Sequence, residues 1–412
     1  MIQYNRFTLS NGLRVLVHQD PTTQIAAVNI LYDVGARDEA PDRTGFAHLF
    51  EHLMFGGSKN IPRYDTPLEQ AGGENNAFTN NDITNYYLTI PRHNLELAFW
   101  LESDRMLDLA FTPKSLEVQR NVVIEEFKQS YLNQPYGDVW LLLRPLAYKV
   151  HPYQWSTIGK EISHIAGAGM EEVKEFYRKF YNPDNAIMVV AGNVETEEIE
   201  RLSEKWFGPI PSGNGHRRVL PQEPEQTEKR TIHVEREVPA DALYMAFHMP
   251  GRQHTDYYTS DLISDILSNG DSSRLFRRLL KEKQLFSDIQ AYITGDRDPG
   301  LLIVQARLNN EVTFEQAEEA IFDELNSLAS DGPDSRELEK VKNKIESTFE
   351  FSEMNVLNKA MNLAYYELLG DAGMINREVE RYRTVTGQQV KECAQKLFRQ
   401  ENCSVLYYHA KK

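Results

Sequence analysis

The sequence predicts an α+β protein of two related domains, each an antiparallel or mixed β-sheet with helices packed on one face. Three observations carry this reading. Strand-like alternation opens each half of the chain, long amphipathic helical stretches follow at matching places, and a Pro-, Gly- and charge-rich segment separates the halves. The 412 residues exceed one ordinary domain and can bury a large core without covalent staples.

The elements follow in order. "FTLSNGLRVLVHQD", turning at Asn11-Gly12, and "AAVNILYDVGA" are the first strand-like stretches; "RTIHVERE" and "ALYMAFHMP" open the second half. A helical pattern after Thr112-Pro113, "SLEVQRNVVIEEFKQSYLN", has its counterpart after Asp331-Gly332-Pro333, "RELEKVKNKIESTFEFSEMN". Each is followed by another long helical stretch. Each half then closes on a short helix and a strand: "VKEFYRKFYNPDNAIMVVAGNV" and "VKECAQKLFRQENCSVLYYHA". The segment 208–230 has no hydrophobic period and reads as a linker, so the expected domains are 1–207 and 231–412.

Composition excludes several roles. With 45 basic against 61 acidic side chains the net charge is −16, which argues against nucleic acid; general solubility is the first reading of that charge, and basic peptides are a reasonable guess for a partner. Cys393 and Cys403 are the two cysteines, so no disulfide framework is implied. There is no run of about 18 apolar residues and no visible signal peptide; no membrane span and a cytoplasmic location are the expectations.

One segment carries chemistry. "TGFAHLFEHLMFGG", Thr44–Gly57, reads as a short helix capped by Thr44 or Asp42 and stopped by Gly56-Gly57. At about 100° per residue, His48, Glu51 and His52 share one arc, while Leu49, Phe50, Leu53 and Met54 fill the other directions. A carboxylate and two imidazoles on a buried helix need compensation, and a divalent metal supplies it. Histidines at i and i+4 point the same way, which suits zinc, and the carboxylate between them is free to work on water. A third ligand is needed. On "LEVQRNVVIEEF", Leu116, Val123 and Phe127 mark the buried face; Glu126 falls on it, whereas Glu125 lies farther from its centre and reads as a solvated charge. None of the other histidines stands at motif spacing.

These residues resemble a known group. His48-Leu49-Phe50-Glu51-His52 is similar to the inverted H-x-x-E-H motif of the inverzincins, among them pitrilysin, insulin-degrading enzyme and the mitochondrial processing peptidase. The resemblance implies zinc held by His48, His52 and Glu126 (126 − 52 = 74 residues on) with Glu51 as general base. "QRNVVIEE" looks like the family's second motif, with Gln119 where a glutamate that supports the ligands without binding the metal often stands. "GGENNAFTNNDITNYYLTIP", Gly72–Pro91, looks like the family's edge strand. By that likeness Asn76, Ala77, Phe78 and Thr79 bind substrate by strand addition. "HPYQWSTIG" resembles a further signature, and the length suits the short, two-domain branch, whose members form clamshells of two chains.

The second half departs from the pattern. Where many relatives carry an arginine and a tyrosine seven residues apart, "LLKEKQLFS" places Leu280 and Ser287. Arg277, Arg278 and Tyr292 stand nearby but off register and read as helix charges and a strand aromatic. Asp261, Ser264 and Asp265 align with His48, Glu51 and His52, and Thr348 with Glu126. The implied function is a zinc endopeptidase for peptides or unfolded segments. It would be the metal-bearing chain of a heterodimer (or homodimer), a related partner supplying the missing grip. The competing expectation is a non-catalytic assembly subunit that keeps a metal site.

Overall fold

The structure is a computed structural model that describes residues 1–213, 215 and 219–411. Among these described residues eleven strands form two sheets. The first contains β1 (Asn5–Thr8), β2 (Arg14–Gln19), β3 (Ile25–Tyr32), β4 (Glu74–Thr79), β5 (Thr84–Pro91) and β6 (Ala186–Gly192), in the order β1-β2-β6-β3-β5-β4. The second contains β7 (Arg230–Arg236), β8 (Ala242–Met249), β9 (Phe286–Ile293), β10 (Gly300–Leu308) and β11 (Cys403–Ala410), in the order β7-β11-β8-β10-β9. Set β2 beside β7 and the two orders coincide strand for strand, with β1 as an extra edge. Each sheet has one parallel pair, β2 with β6 and β7 with β11; every other pairing is antiparallel. The internal relation read from the sequence is thus a shared topology.

The chain forms two compact units, one of residues 1–129, 155–220 and 350–377, the other of 130–154, 221–349 and 378–412. They are not the contiguous 1–207 and 231–412. Each half lends the other a helix. In the first unit Val356–Leu368 lays Ala360, Leu363 and Ala364 on Leu16, Ala27, Leu31, Ile187 and Val189 of the sheet. In the second, Val139–Ala147 packs Val139, Leu143 and Ala147 on Ala242, Tyr244, Leu301, Ile303 and Leu406. The expected helical layer is present on one face, and these loaned helices cover the other. That explains two uninterrupted runs: all of β6 is buried, as is β8 apart from His248. A strand covered on both faces has no polar side to alternate with. Leu363→Ala should therefore lower the first unit's stability by about 2–5 kcal/mol in urea unfolding, because the side chain is fully buried.

The expected linker is tied down at both ends. Asn11 Nδ2 donates to the carbonyls of Phe207 and Ile210, and Asp184 accepts from the Gly213 amide at 2.9 Å. Beyond it, Glu223 accepts three amides, from Lys149, Val150 and His151, at 2.8–2.9 Å. Residues 214 and 216–218 of this segment lie outside the described residues.

Candidate metal centre

The histidine helix spans Phe46–Leu53. Its start is set by Gly45, at φ 87°, where a Cβ would stand 2.6 Å from Ile165 and 2.8 Å from the Ile158 carbonyl. Neither Thr44 nor Asp42 caps it. Glu39 does, accepting the amides of Gly45 and Ala47 at 2.8 Å each. This satisfies two orphan donors and sets a carboxylate at the positive end of the helix. Burial pushes the Glu39 carboxyl well up, and the two amides oppose that shift. Thr44 instead accepts the Lys160 amide at 2.8 Å. Phe50 turns into an aromatic layer with Phe176 and Tyr181, both 5.1 Å away between ring centres.

The polar arc faces the helix Pro113–Phe127, which buries Leu116, Val123 and Phe127 and is capped by Thr112. Glu126 projects toward the histidines, while Glu125 turns outward to Lys128 at 2.7 Å. His48 Nε2 and His52 Nε2 are 3.3 Å apart; Glu126 Oε2 is 3.7 Å from the first and 3.5 Å from the second. Among the described residues this is the one group of three or more His, Cys, Asp or Glu side chains whose donor atoms converge, all within 4.8 Å. The spacing suits zinc. A tetrahedral ion bonded to nitrogens at about 2.0–2.1 Å holds its donors roughly 3.3–3.4 Å apart. Burial, with His52 beside it, lowers the His48 pKa to about 4, so the ring is the neutral, ligating form at pH 7. The hydrogen bond to His52 and then the two imidazoles' charges keep Glu126 below its ordinary range.

Glu51 sits in the same arc, half-buried. Burial raises its pKa, and hydrogen bonds from the Thr79 hydroxyl and amide oppose the rise. Thr79 ends β4, so the stretch Gly72–Pro91 is a hairpin and not one strand. Asn80 makes the turn, its Oδ1 accepting the amides of Asp82 and Ile83 at 2.8 and 2.9 Å. β4 is the edge and pairs with β5 alone, Ala77 opposite Tyr86 and Thr79 opposite Thr84. Glu74, Asn76 and Phe78 are its exposed members, and Asn75, Ala77 and Thr79 the half-buried ones. Asn76 Oδ1 accepts the Ala77 amide at 2.8 Å. Gln119 is half-buried on the Glu126 helix, with its amide nitrogen beside Gly56; Glu117 is exposed.

Sequence reasoning missed what stands behind the site. Arg105, 1% exposed, forks onto Glu102 at 2.6–2.9 Å and lies 4.5 Å from the ring centres of Tyr64 and Tyr86 and 5.4 Å from that of Phe55. The Tyr64 hydroxyl donates to Glu102, and the Tyr86 hydroxyl to the Phe50 carbonyl at 3.3 Å. This pair therefore braces the segment leaving the histidine helix. The available signal was the pair at i and i+3 inside the apolar helix "LELAFWLESDRML".

The second unit's counterpart is different. Asp261 and Asp265 lie on the helix Asp256–Ser268, hydrogen-bonded to the Tyr382 hydroxyl and to Asn269, both at 2.6 Å. The Thr348 hydroxyl donates to its own helix at the Lys344 carbonyl. Burial, with Asp265 and Glu378 nearby, lifts the Asp261 carboxyl to about 6. An unfolded Asp titrates near 3.9. Between the two values the folded chain holds the extra proton, so stability falls as pH rises through this window. Asp261→Asn is expected to raise the thermal midpoint above about pH 6, the gain vanishing below the ordinary carboxylate range. Leu280 packs half-buried on this unit's core, and Ser287 is exposed with its hydroxyl 3.4 Å from the Arg307 carbonyl. Arg278 pairs with Glu324 at 2.6 Å, and the Tyr292 hydroxyl meets Gln305 at 3.3 Å.

Known proteins resemble this chain in sequence and fold. Residues 14–158, which contain His48, Glu51, His52 and Glu126, match the insulinase family, peptidase family M16; residues 169–345 match the peptidase M16 inactive domain. A zinc protease of Helicobacter pylori, PqqE, is 30% identical over 82% of this chain and 78% of its own length. YmxG of Bacillus subtilis, described as an uncharacterized zinc protease, is 27% identical over 96% of each chain. The crystal structure of a protease from Helicobacter pylori superposes with a TM-score of 0.92 at 26% identity, covering 99% of this chain and 100% of that one. No helix of the described residues is long and apolar enough to cross a membrane. With both halves matched and the whole fold shared, this chain belongs to peptidase family M16.

Proposed function

We propose that the chain is a zinc-dependent endopeptidase acting on peptides or unfolded segments. The observation that carries this is the convergence of His48, His52 and Glu126 beside a carboxylate hydrogen-bonded to the last residue of a free sheet edge. His48, His52 and Glu126 hold the ion, and Glu51 is left out of that set. Bound zinc supplies Lewis acidity, polarising a carbonyl and making water easier to deprotonate. Glu51 takes the proton from the attacking water and hands it to the leaving amine. Its raised pKa suits both halves of that exchange. Asn76–Thr79 runs along the outer edge of its sheet, where a peptide can lie extended once the Ala77 amide leaves Asn76 Oδ1. Thr79 then has two roles, one toward substrate and one orienting the base. Gln119 lies outside the ligand set and tunes the site from behind.

Leu280 and Ser287 stand where the resemblance implies, for many family members, an arginine and a tyrosine that grip substrate. The chain is accordingly read as the metal-bearing subunit of a pair, with a related partner supplying that grip. Two measurements test these points. Glu126→Ala or His52→Ala should lose most of the one equivalent of zinc that the parent retains through dialysis. The purified, metal-loaded chain should cleave peptides poorly alone and far faster with its partner from the native source. Full activity of the isolated chain would overturn the paired reading. Activity absent in every pairing, with zinc retained, would favour the assembly-subunit reading instead.

A further inference from the structure

One edge of the second sheet carries two histidines that the metal centre does not use. β7 is that edge and pairs with β11 alone, in parallel. The register sets His233 opposite Tyr407 and Glu235 opposite His409. Side chains alternate along a strand, so all four stand on one face of the sheet. The helix Phe314–Asp331 packs on this face at its start, with Phe314 5.4 Å from Tyr407 and 4.7 Å from His409 between ring centres. His233 is exposed and His409 half-buried.

Packing orients both rings before any ligand arrives. His233 stacks on Tyr407 at 4.3 Å with 10° between the planes, and His409 rests against Phe314. The two imidazoles lie within 27° of parallel, and His233 Nδ1 is 3.0 Å from His409 Nε2. A hydrogen bond between two neutral rings uses one lone pair and contributes little where water competes. A cation between them uses both. Carboxylates surround the pair and favour a cation. Glu235 is the neighbour of His409 in register. Glu315 is held below the ordinary carboxylate range by its own amide and the Thr313 hydroxyl, then by the charge of His233. Lys229, on the same strand pair, is taken up by Glu318.

The spacing also discriminates between ions. Nitrogens 3.0 Å apart subtend about 95° at an ion roughly 2.0–2.1 Å from each, close to the right angle of a tetragonal Cu²⁺ or Ni²⁺ centre. His48 and His52, at 3.3 Å, subtend about 107°, close to the tetrahedral angle of zinc.

We propose that His233 and His409 form a second metal site, on the surface of the second unit, that takes Cu²⁺ or Ni²⁺ in preference to Zn²⁺. The two ring nitrogens are its donors, Glu235 supplies charge beside them and water completes the coordination. With two protein donors and an open face it releases its ion on dialysis, so the interior zinc stays the one retained equivalent. A bound ion ties β7 to β11 and stabilises the second unit.

The test titrates the zinc-loaded, dialysed full chain with Cu²⁺ and then Ni²⁺, zinc content being assayed throughout. One equivalent of Cu²⁺ should bind with zinc retained, and its paramagnetic resonance spectrum should be tetragonal with two equatorial nitrogens. Ni²⁺ should compete for the same site, and added Zn²⁺ should bind there at least tenfold more weakly than Cu²⁺. His233→Ala and His409→Ala should each weaken Cu²⁺ binding at least tenfold and remove one nitrogen from the spectrum. His93→Ala, which alters an exposed histidine of the other unit, should change neither. Cu²⁺ that binds only by displacing zinc overturns the assignment. So does a parent spectrum with a single nitrogen, or undiminished binding by a folded variant with both histidines replaced.

Discussion

Replacing Glu51 with Gln is expected to lower peptide-cleavage turnover by about 10²–10⁴ while the chain keeps its metal. The amide has the shape of the carboxylate and can still accept from Thr79, so the arc of His48, His52 and Glu126 should stay as it is. What is lost is the ability to take a proton. The measurement pairs turnover on an unstructured peptide with zinc content of the same sample. A Glu51→Gln variant that binds zinc and cleaves at the parent rate would remove Glu51 from the reaction. Loss of zinc along with activity would instead place it among the ligands.

Arg105→Ala should be the most damaging single change away from the donors. It leaves Glu102, 2% exposed, as an unpaired buried carboxylate, at a cost of roughly 3–5 kcal/mol. It also opens a void between Tyr64, Tyr86 and Phe55, the rings that lie against the guanidinium. Urea unfolding reads the first effect. Zinc retention reads a second, because Tyr86 is hydrogen-bonded to the Phe50 carbonyl inside the histidine helix. Replacing both partners, Glu102→Leu with Arg105→Met, should be milder than Arg105→Ala, since no lone charge is then buried. If the double variant is the less stable, the pair contributes net stability of its own.

The donors were legible because their relation is local. Two histidines one turn apart declare a shared face, and Glu126 follows from the apolar positions of its own helix. Glu39 was not legible. Nothing in a loop glutamate says that it will turn back to accept the Gly45 and Ala47 amides, while Thr44 and Asp42 looked better placed. The hairpin was hidden for a related reason: Asn80-Asn81-Asp82 interrupts a stretch whose two arms alternate alike, so a turn passed for part of one strand. The duplication implied that the two sheets share a strand order, but not what that order is. The helix loans were not implied, because an amphipathic pattern states that a helix has an apolar face and never which sheet receives it. The buried runs of β6 and β8 were the one clue that both faces of each sheet need cover.

Those loans bear on how the protein is made. The first sheet's covering helix ends at Leu368, so a ribosome that has completed β6 still has more than a third of the chain to synthesise before that face can close. During this interval Leu16, Ala27, Leu31, Ile187 and Val189 form an open apolar surface. Chaperone dependence should thus be concentrated between the completion of β6 and the emergence of Leu368, and a fragment released at the linker should aggregate when expressed alone. Supplying the remainder of the chain in trans should rescue it. Duplication gave this protein two copies of one sheet, and the exchange of one helix each way keeps the first copy open until most of the second has been made.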